Sequence, residues 1–214
     1  MYKFVKNIYK KSKYVNPIEI EWRKETYPDQ LEAAIAHSKI DPILAVKELE
    51  KLALADSALA NVYLGDIFAN GRGIERNLTK GVFWYKKSMD LGSDEGAFRL
   101  AFTYWYQEEV DKALSILKML ADRGFSPASY LLGSIYFDGN CVDRDVKIGL
   151  EYWSSSERLG HLEAKRRISI YLRSGNKGLI AKFRGTIKLI SLILPYIMTS
   201  LSNPESARLR GWSD

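Results

Sequence analysis

The sequence predicts an all-α protein, a solenoid in which successive helix pairs stack on one another. One observation is a repeated phrase: "LGDIFANGRGIERN", starting at Leu64, returns as "LGSIYFDGNCVDRD", starting at Leu132. A second is the spacing of the units, because starts 32–36 residues apart are typical of stacked helix pairs. These units start at Ala60, Gly96, Ala128 and Ala164.

Each unit has the residues that a helix–hinge–helix pair needs. Ala60, Leu64 and Phe68 recur at four-residue steps, which places them on one stripe of a first helix. A glycine then stops this helix in a left-handed conformation, and a short polar residue caps the second helix, which another glycine ends. The predicted stops are Gly71 and Gly139, the caps Asn77 and Asp145, and the closing residues Gly92, Gly124 and Gly160.

This pattern of small, aromatic and glycine positions resembles the Sel-one-like repeats, which are relatives of the tetratricopeptide repeats. In the first unit the matching residues are Ala60, Leu64, Gly65, Phe68, Gly71, Gly73, Ile74, Asn77, Trp84, Tyr85 and Gly92. In the third they are Ala128, Leu132, Gly133, Tyr136, Gly139, Val142, Asp145, Tyr152, Trp153 and Gly160. Cys141 departs from the pattern, and the middle unit shortens its hinge to "YQEEVDK".

The resemblance implies a right-handed superhelical α-solenoid of stacked helix pairs, with extra terminal helices. Trp84, Tyr104 and Trp153 are expected to pack between helices. The predicted division is a basic N-terminal segment 1–27, a solenoid 28–175, and a basic and apolar C-terminal helical segment 176–214. The predicted solenoid units are 28–59, 60–95, 96–127, 128–163 and a partial 164–175.

The residues that carry chemistry do not form a recognisable reaction centre. His37 and His161, the two histidines, have no metal-ligand spacing with each other or with Cys141. The glycines of "NGRGIERN" do not match a phosphate-binding loop. We therefore predict a non-enzyme without metal or cofactor. An enzyme would need a pocket that unites distant carboxylates with His37 or His161.

The net charge of +6 is divided unevenly. Residues 15–164 sum to −7, residues 1–14 to +5 and residues 165–214 to +8. An acidic body repels nucleic-acid phosphates, so we predict no nucleic-acid partner. Basic ends favour an anionic partner there, although lysines that only maintain solubility are an equal alternative.

The resemblance implies a non-catalytic adaptor or scaffold that binds a protein or peptide on a concave face formed by the first helices. Residue types on this face differ between units, which favours a ligand-binding surface over a packed one. A helix surface that contacts only solvent is the alternative. The sequence leaves the partner's identity and the formation of a homo-oligomer open. The candidate partner-binding residues are Tyr63, Asp66, Asn70, Arg99, Phe102, Tyr106, Leu131, Ser134 and Asp138.

The C-terminal stretch "LIAKFRGTIKLISLILPYIMTSLS", from Leu179, has two interpretations. Its uncharged run 189–201 is shorter than the roughly 20 residues that span a bilayer. It either caps the solenoid and buries its last apolar face, or lies in a membrane interface with its basic residues toward anionic headgroups. The possible membrane contacts are Lys3, Lys6, Lys10, Lys13, Lys182, Arg184 and Lys188.

The second interpretation predicts a membrane-peripheral regulator of an envelope, secretion or signalling system, as the resemblance to bacterial repeat proteins permits. The N-terminal residues lack the apolar stretch of a secretory signal. We therefore expect a cytoplasmic location, with the periphery of the inner membrane as the alternative.

Overall fold

The computed structural model describes residues 17–174 and 178–192. These residues form eleven helices and no strand, which confirms the all-α prediction. The helices are α1 (Pro17–Trp22), α2 (Pro28–His37), α3 (Pro42–Leu54), α4 (Ala58–Asn70), α5 (Leu78–Asp90), α6 (Asp94–Tyr106), α7 (Val110–Asp122), α8 (Ser126–Asp138), α9 (Val146–Arg158), α10 (Leu162–Arg173) and α11 (Gly178–Ile190).

The chain divides into two compact units. Among the described residues, the first unit comprises 17–120 and the second comprises 121–174 and 178–192. In the first unit the helices α2, α3, α4, α5 and α6 pack in succession, and the first helices α4 and α6 also contact each other. In the second unit α8, α9, α10 and α11 pack in succession. Consecutive packing of this kind is what a stack of helix pairs requires.

Each unit buries its own apolar clusters. One cluster of the first unit is centred on α4, and a second joins α5, α6 and α7. The cluster of the second unit is centred on Trp153, which is 1% exposed. The buried members are Leu31, Ala34, Leu49, Leu59, Ala60, Leu64 and Ile67; Ala69, Tyr85, Leu100, Tyr104 and Ala113; and Tyr130, Trp153, Ala164 and Ile168.

The two hinges have the predicted structure. Gly71 and Gly139 have φ angles of 67° and 74°, in the left-handed region that favours glycine. The Asn77 side chain accepts a hydrogen bond from the Lys80 backbone N–H at 2.9 Å. Asp145 accepts one from the Ile148 N–H at the same distance. The recurrent phrase is therefore a helix stop followed by a helix cap.

An arginine closes each hinge, a feature that the sequence pattern does not reveal. Arg76 Nε donates to the carbonyl of Ala69 at 2.9 Å, and Arg144 Nε donates to that of Phe137 at 3.0 Å. These carbonyls lie in the last turn of a helix, where no intrahelical N–H remains to satisfy them. The side chain thus stabilises the end of the first helix.

One glycine inside α4 and another inside α8 let the two helices of these pairs approach closely. A Cβ atom on Gly65 would lie 2.3 Å from Cε1 of Tyr85, and one on Gly133 would lie 2.2 Å from Cδ1 of Trp153. Trp84 packs against the apolar cluster around α4, as predicted, but it is not the ring that meets the glycine. Trp84 is half-buried, and the neighbouring Tyr85 fills the buried position that Trp153 fills in the later repeat.

We predict that Gly133→Ala lowers the free energy of unfolding by about 1–3 kcal/mol, since the added methyl group overlaps the buried Trp153 ring. This cost exceeds the gain of about 1 kcal/mol that Ala brings to a helix interior. Urea denaturation followed by circular dichroism measures the change. Glu151→Ala, at an exposed site of α9, is the control and should change stability by less than about 0.5 kcal/mol. Equal stability of both variants would contradict the proposed close contact.

We also predict that Asp145→Ala destabilises the protein by about 1 kcal/mol, because the first turn of α9 loses the side-chain acceptor for the Ile148 N–H. Asp143→Ala is the matched control, because it removes the same charge from an exposed residue in the same hinge. Thermal denaturation of both variants separates the two effects. If the melting temperatures fall equally, the effect belongs to charge and not to the cap.

Candidate functional site

Three of the candidate residues in the first unit belong to one polar cluster. The phenol of Tyr85 donates to Oδ1 of Asp66 at 2.6 Å. Arg99 Nε donates to Oε1 of Glu95 at 3.0 Å, and its Nη1 lies 3.6 Å from Oδ1 of Asp66. Asp66, Arg99 and the half-buried Tyr63 are therefore engaged by neighbours.

The environment of this cluster favours a neutral phenol and a charged guanidinium. Burial raises the pKa of the Tyr85 phenol, and the Asp66 carboxylate raises it further. Burial by itself lowers the pKa of Arg99, but Asp66 and Glu95 outweigh that effect and raise it above its ordinary value. Burial, with the charge of Asp66, also raises the pKa of Tyr63 to about 12. The cluster holds one fixed positive charge between two carboxylates.

The short helix α1 joins this cluster from an unexpected direction. Glu21 accepts hydrogen bonds from Ser93 Oγ at 2.6 Å and from the Glu95 backbone N–H at 2.9 Å, at the start of α6. Burial raises the pKa of Glu21. Trp22 packs against the apolar cluster around α4 and hydrogen-bonds with Tyr63. Part of the predicted binding face is thus covered by the chain itself, and no sequence signal marks these contacts.

The remaining candidates of the first unit lie at the C-terminal ends of α4 and α6. Asn70 is exposed, and its side-chain amide donates to the Asp66 carbonyl at 2.9 Å. Tyr106 is 73% exposed and its ring centre lies 5.4 Å from that of the half-buried Phe102. These two rings form an aromatic patch at the end of α6, which we call the α6 patch.

In the second unit the candidates divide between surface and core. Ser134 is half-buried and Asp138 is exposed, whereas Leu131 is buried and cannot meet a ligand as expected. Trp153 Nε1 donates to the Tyr130 carbonyl and to Ser134 Oγ, both at 3.2 Å. Ser134 is therefore part of a polar contact that positions the buried ring.

The possible membrane contacts fall partly outside the described residues. Lys3, Lys6, Lys10 and Lys13 lie outside them. Lys182 and Arg184 are exposed on α11, whereas Lys188 forms an ion pair with Glu157 at 2.8 Å. None of the described helices has the length and apolar content that crossing a bilayer requires.

Helix α11 packs through its small residues and leaves its apolar stripe exposed. A Cβ atom on Gly185 would lie 2.7 Å from the Ser169 carbonyl oxygen, so this face contacts α10 closely. Phe183 is 69% exposed, and the other stripe residues are exposed as well. These stripe residues are therefore not buried as the cap interpretation expects, although Leu189 is half-buried and Leu192, just after the helix, is buried. The stripe consists of Leu179, Ile180, Phe183, Ile187 and Ile190.

The two histidines and Cys141 each lie in a different environment. His37 Nδ1 lies 2.7 Å from a carboxylate oxygen of Glu48. His161 is buried, stacks on Tyr130 and caps α10, while Cys141 is exposed in a hinge. In the described part of the chain, no group of three or more His, Cys, Asp or Glu residues is arranged to hold a metal ion.

Comparison with known proteins identifies the repeats. The Sel1 repeat family matches residues 58–93 and 126–161, two residues ahead of the frame used for the sequence. The search of curated proteins gives no match. Among solved structures, a Sel1 repeat protein from Oxalobacter formigenes aligns with a TM-score of 0.65 and 20% identity, over 76% of this chain and 69% of that chain.

A second similar structure is c5321, a protective antigen present in uropathogenic Escherichia coli strains that displays an SLR fold. It aligns with a TM-score of 0.58 and 22% identity, over 75% of this chain and 36% of that chain. Proteins with such repeats are generally non-catalytic scaffolds for protein–protein interaction. The resemblance seen in the sequence is confirmed: the chain contains two segments that match the Sel1 repeat, and its helical fold is similar to that of SLR proteins.

Proposed function

We propose that this protein is a non-catalytic adaptor that binds a protein or peptide on the face formed by its first helices. The observation that carries the proposal is the α6 patch, Phe102 and Tyr106, beside the polar cluster of Asp66 and Arg99. Exposed aromatic rings next to well-positioned polar groups are characteristic of interface hot spots. The scaffold role of Sel1 repeats agrees with this reading.

The geometry explains why such a face would recognise and not react. Its charged groups form ion pairs, such as that of Arg99 with Glu95 at 3.0 Å. These groups hold fixed positions that a partner can recognise, and they are not poised to transfer a proton. The buried Tyr85 anchors the polar cluster, and Phe102 lies three residues after Arg99 on the same helix, so the aromatic rings project from a helix that this cluster holds in place. A rigid aromatic surface loses little conformational entropy on binding.

We predict that a photo-crosslinking amino acid at position 106 captures a protein partner in living cells, whereas one at position 83 does not. Phe83 is the matched control, since it is 50% exposed but lies on the second helix α5. Mass spectrometry identifies the captured partner. Tyr106→Ala should then weaken binding of that purified partner by about 2 kcal/mol or more, as hot-spot truncations do. Equal capture from both positions would contradict the proposed face.

A second proposed function, a membrane-peripheral regulator, is supported by the exposed stripe of α11. Five apolar side chains lie exposed on one face of this helix, with the exposed Lys182 and Arg184 beside them. A helix with an apolar face and basic flanks binds the interface of anionic bilayers. In this proposal the protein is cytoplasmic and associates reversibly with the inner membrane.

We predict that the full chain floats with vesicles containing phosphatidylglycerol and not with pure phosphatidylcholine, and that high salt releases it. Phe183→Glu should reduce vesicle binding by at least about tenfold, because inserting a large apolar side chain contributes about 1.5–3 kcal/mol.

The control is Asn140→Glu, which adds the same charge at an exposed position in the hinge between α8 and α9. It should float like the unchanged protein. Binding to both lipids alike, or an unchanged affinity of the Phe183→Glu variant, would contradict the membrane proposal. A dimer in solution that Phe183→Glu dissociates, without flotation, would instead assign the stripe to self-association.

A further inference from the structure

The two repeats place equivalent residues around their polar clusters, sixty-eight positions apart. Where the residues at equivalent positions differ, one repeat therefore has a polar contact that the other lacks. The equivalent pairs are Asp66 and Ser134, Tyr85 and Trp153, Glu95 and Glu163, and Arg99 and Arg167.

In the first unit the arginine is fully neutralised. Arg99 Nε donates to Glu95 at 3.0 Å, and the guanidinium lies 3.6 Å from Asp66. Asp66 in turn accepts from the phenol of Tyr85 at 2.6 Å. Every charged member of this set has an opposite charge or a hydrogen-bond donor beside it. The first unit thus shows, within the same protein, what this arginine position binds.

In the second unit both carboxylates are missing from the equivalent arginine. Ser134, which has no charge, stands where the first unit has Asp66. Glu163, the equivalent of Glu95, instead accepts from Nε of Arg166, which lies 2.8 Å from each of its carboxylate oxygens. Arg167 therefore has the Trp153 ring beneath it, at 5.8 Å from its guanidinium carbon, and a hydrogen bond with the Tyr130 phenol, but no carboxylate partner among the described ion pairs.

The missing acceptor is most evident at the Nε atom of Arg167. This atom is buried, and no acceptor within the described residues forms a hydrogen bond with it. A buried charged donor without an acceptor costs free energy, which a bound acceptor would recover. The residue as a whole is half-buried, so part of the Arg167 side chain is open to solvent although Nε is not. A hydrogen-bond acceptor on another molecule could therefore approach this side chain and supply the missing partner.

We propose that Arg167 binds a carboxylate side chain of the peptide partner, at the position that Asp66 occupies from within the first unit. The planar guanidinium matches a carboxylate through two parallel hydrogen bonds. Helix α10 also carries Lys165, Arg166 and Arg173 against the single acid Glu163, a balance that attracts an acidic segment. This inference rests on the proposed adaptor function and names the chemistry of its partner.

The test uses a library of random short peptides displayed on phage and selected on the full chain. Selected sequences should be enriched in Asp and Glu with the unchanged protein, but not with the Arg167→Gln variant. Arg173→Gln is the matched control, because it removes the same charge from an exposed residue of the same helix and should preserve the enrichment. For one selected peptide, Arg167→Gln should weaken binding by at least about tenfold, as should replacing its acid by the corresponding amide.

Ser134→Asp keeps the inference falsifiable if Arg167→Gln fails to fold. This change supplies the internal carboxylate of the first unit, so it should raise the melting temperature and also weaken binding of the acidic peptide by at least about tenfold. Undiminished binding by Ser134→Asp, or an equal loss with Arg173→Gln, would overturn the assignment of Arg167. Displacement of the peptide by free glutamate at the peptide's own concentration would equally overturn it, in favour of a small-molecule site.

The outcomes separate this inference from the function on which it rests. Peptides that are selected without any preference for acids would refute the role of Arg167 and leave the adaptor function standing. Failure to select any peptide, together with no partner captured from position 106, would refute the adaptor function itself.

Discussion

A single steric constraint underlies each repeat: a glycine in the first helix lets an aromatic ring of the second helix lie against its backbone. Gly65 admits Tyr85 and Gly133 admits Trp153, and a methyl group at either glycine would overlap the ring. Because the ring is held so close, its polar edge reaches the far side of the first helix, where the phenol of Tyr85 bonds Asp66 and the Trp153 indole N–H bonds the Tyr130 carbonyl. The same contact therefore packs the two helices together and positions their polar groups.

The polar groups around this contact differ between the two repeats. In the first unit, Asp66 and Glu95 surround Arg99, and Glu21 of α1 covers the start of α6, so the cluster is satisfied from within. The equivalent cluster of the second unit lacks the aspartate and leaves Arg167 Nε without an acceptor among the described residues. One copy of the repeat is thus completed by its own chain, and the other leaves a buried guanidinium nitrogen for the proposed partner to satisfy.

Helix α11 shows the same separation between packing and surface. Its close approach to α10 depends on Gly185, whose missing side chain leaves room for the Ser169 carbonyl. An ion pair between Lys188 and Glu157 adds a polar tie to α9. These contacts use Gly185 and a charged residue of α11, and the five apolar residues of the stripe remain exposed. An amphipathic pattern normally predicts burial of the apolar face, but here the glycine contact determines which face turns inward.

The repeated phrase by itself determined the helix pairs, the hinge glycines Gly71 and Gly139 and the caps Asn77 and Asp145, because each is a local requirement of the backbone. The period likewise determined the all-α solenoid fold. Only the tertiary structure decided that Tyr85, and not Trp84, is the buried ring, that Glu21 reaches Ser93 across seventy-two positions, and that α11 turns its apolar stripe outward. Local patterns fix how a helix begins, ends and divides into faces. Which neighbour each face meets depends on contacts between distant residues, and a single sequence does not encode these in any periodic signal.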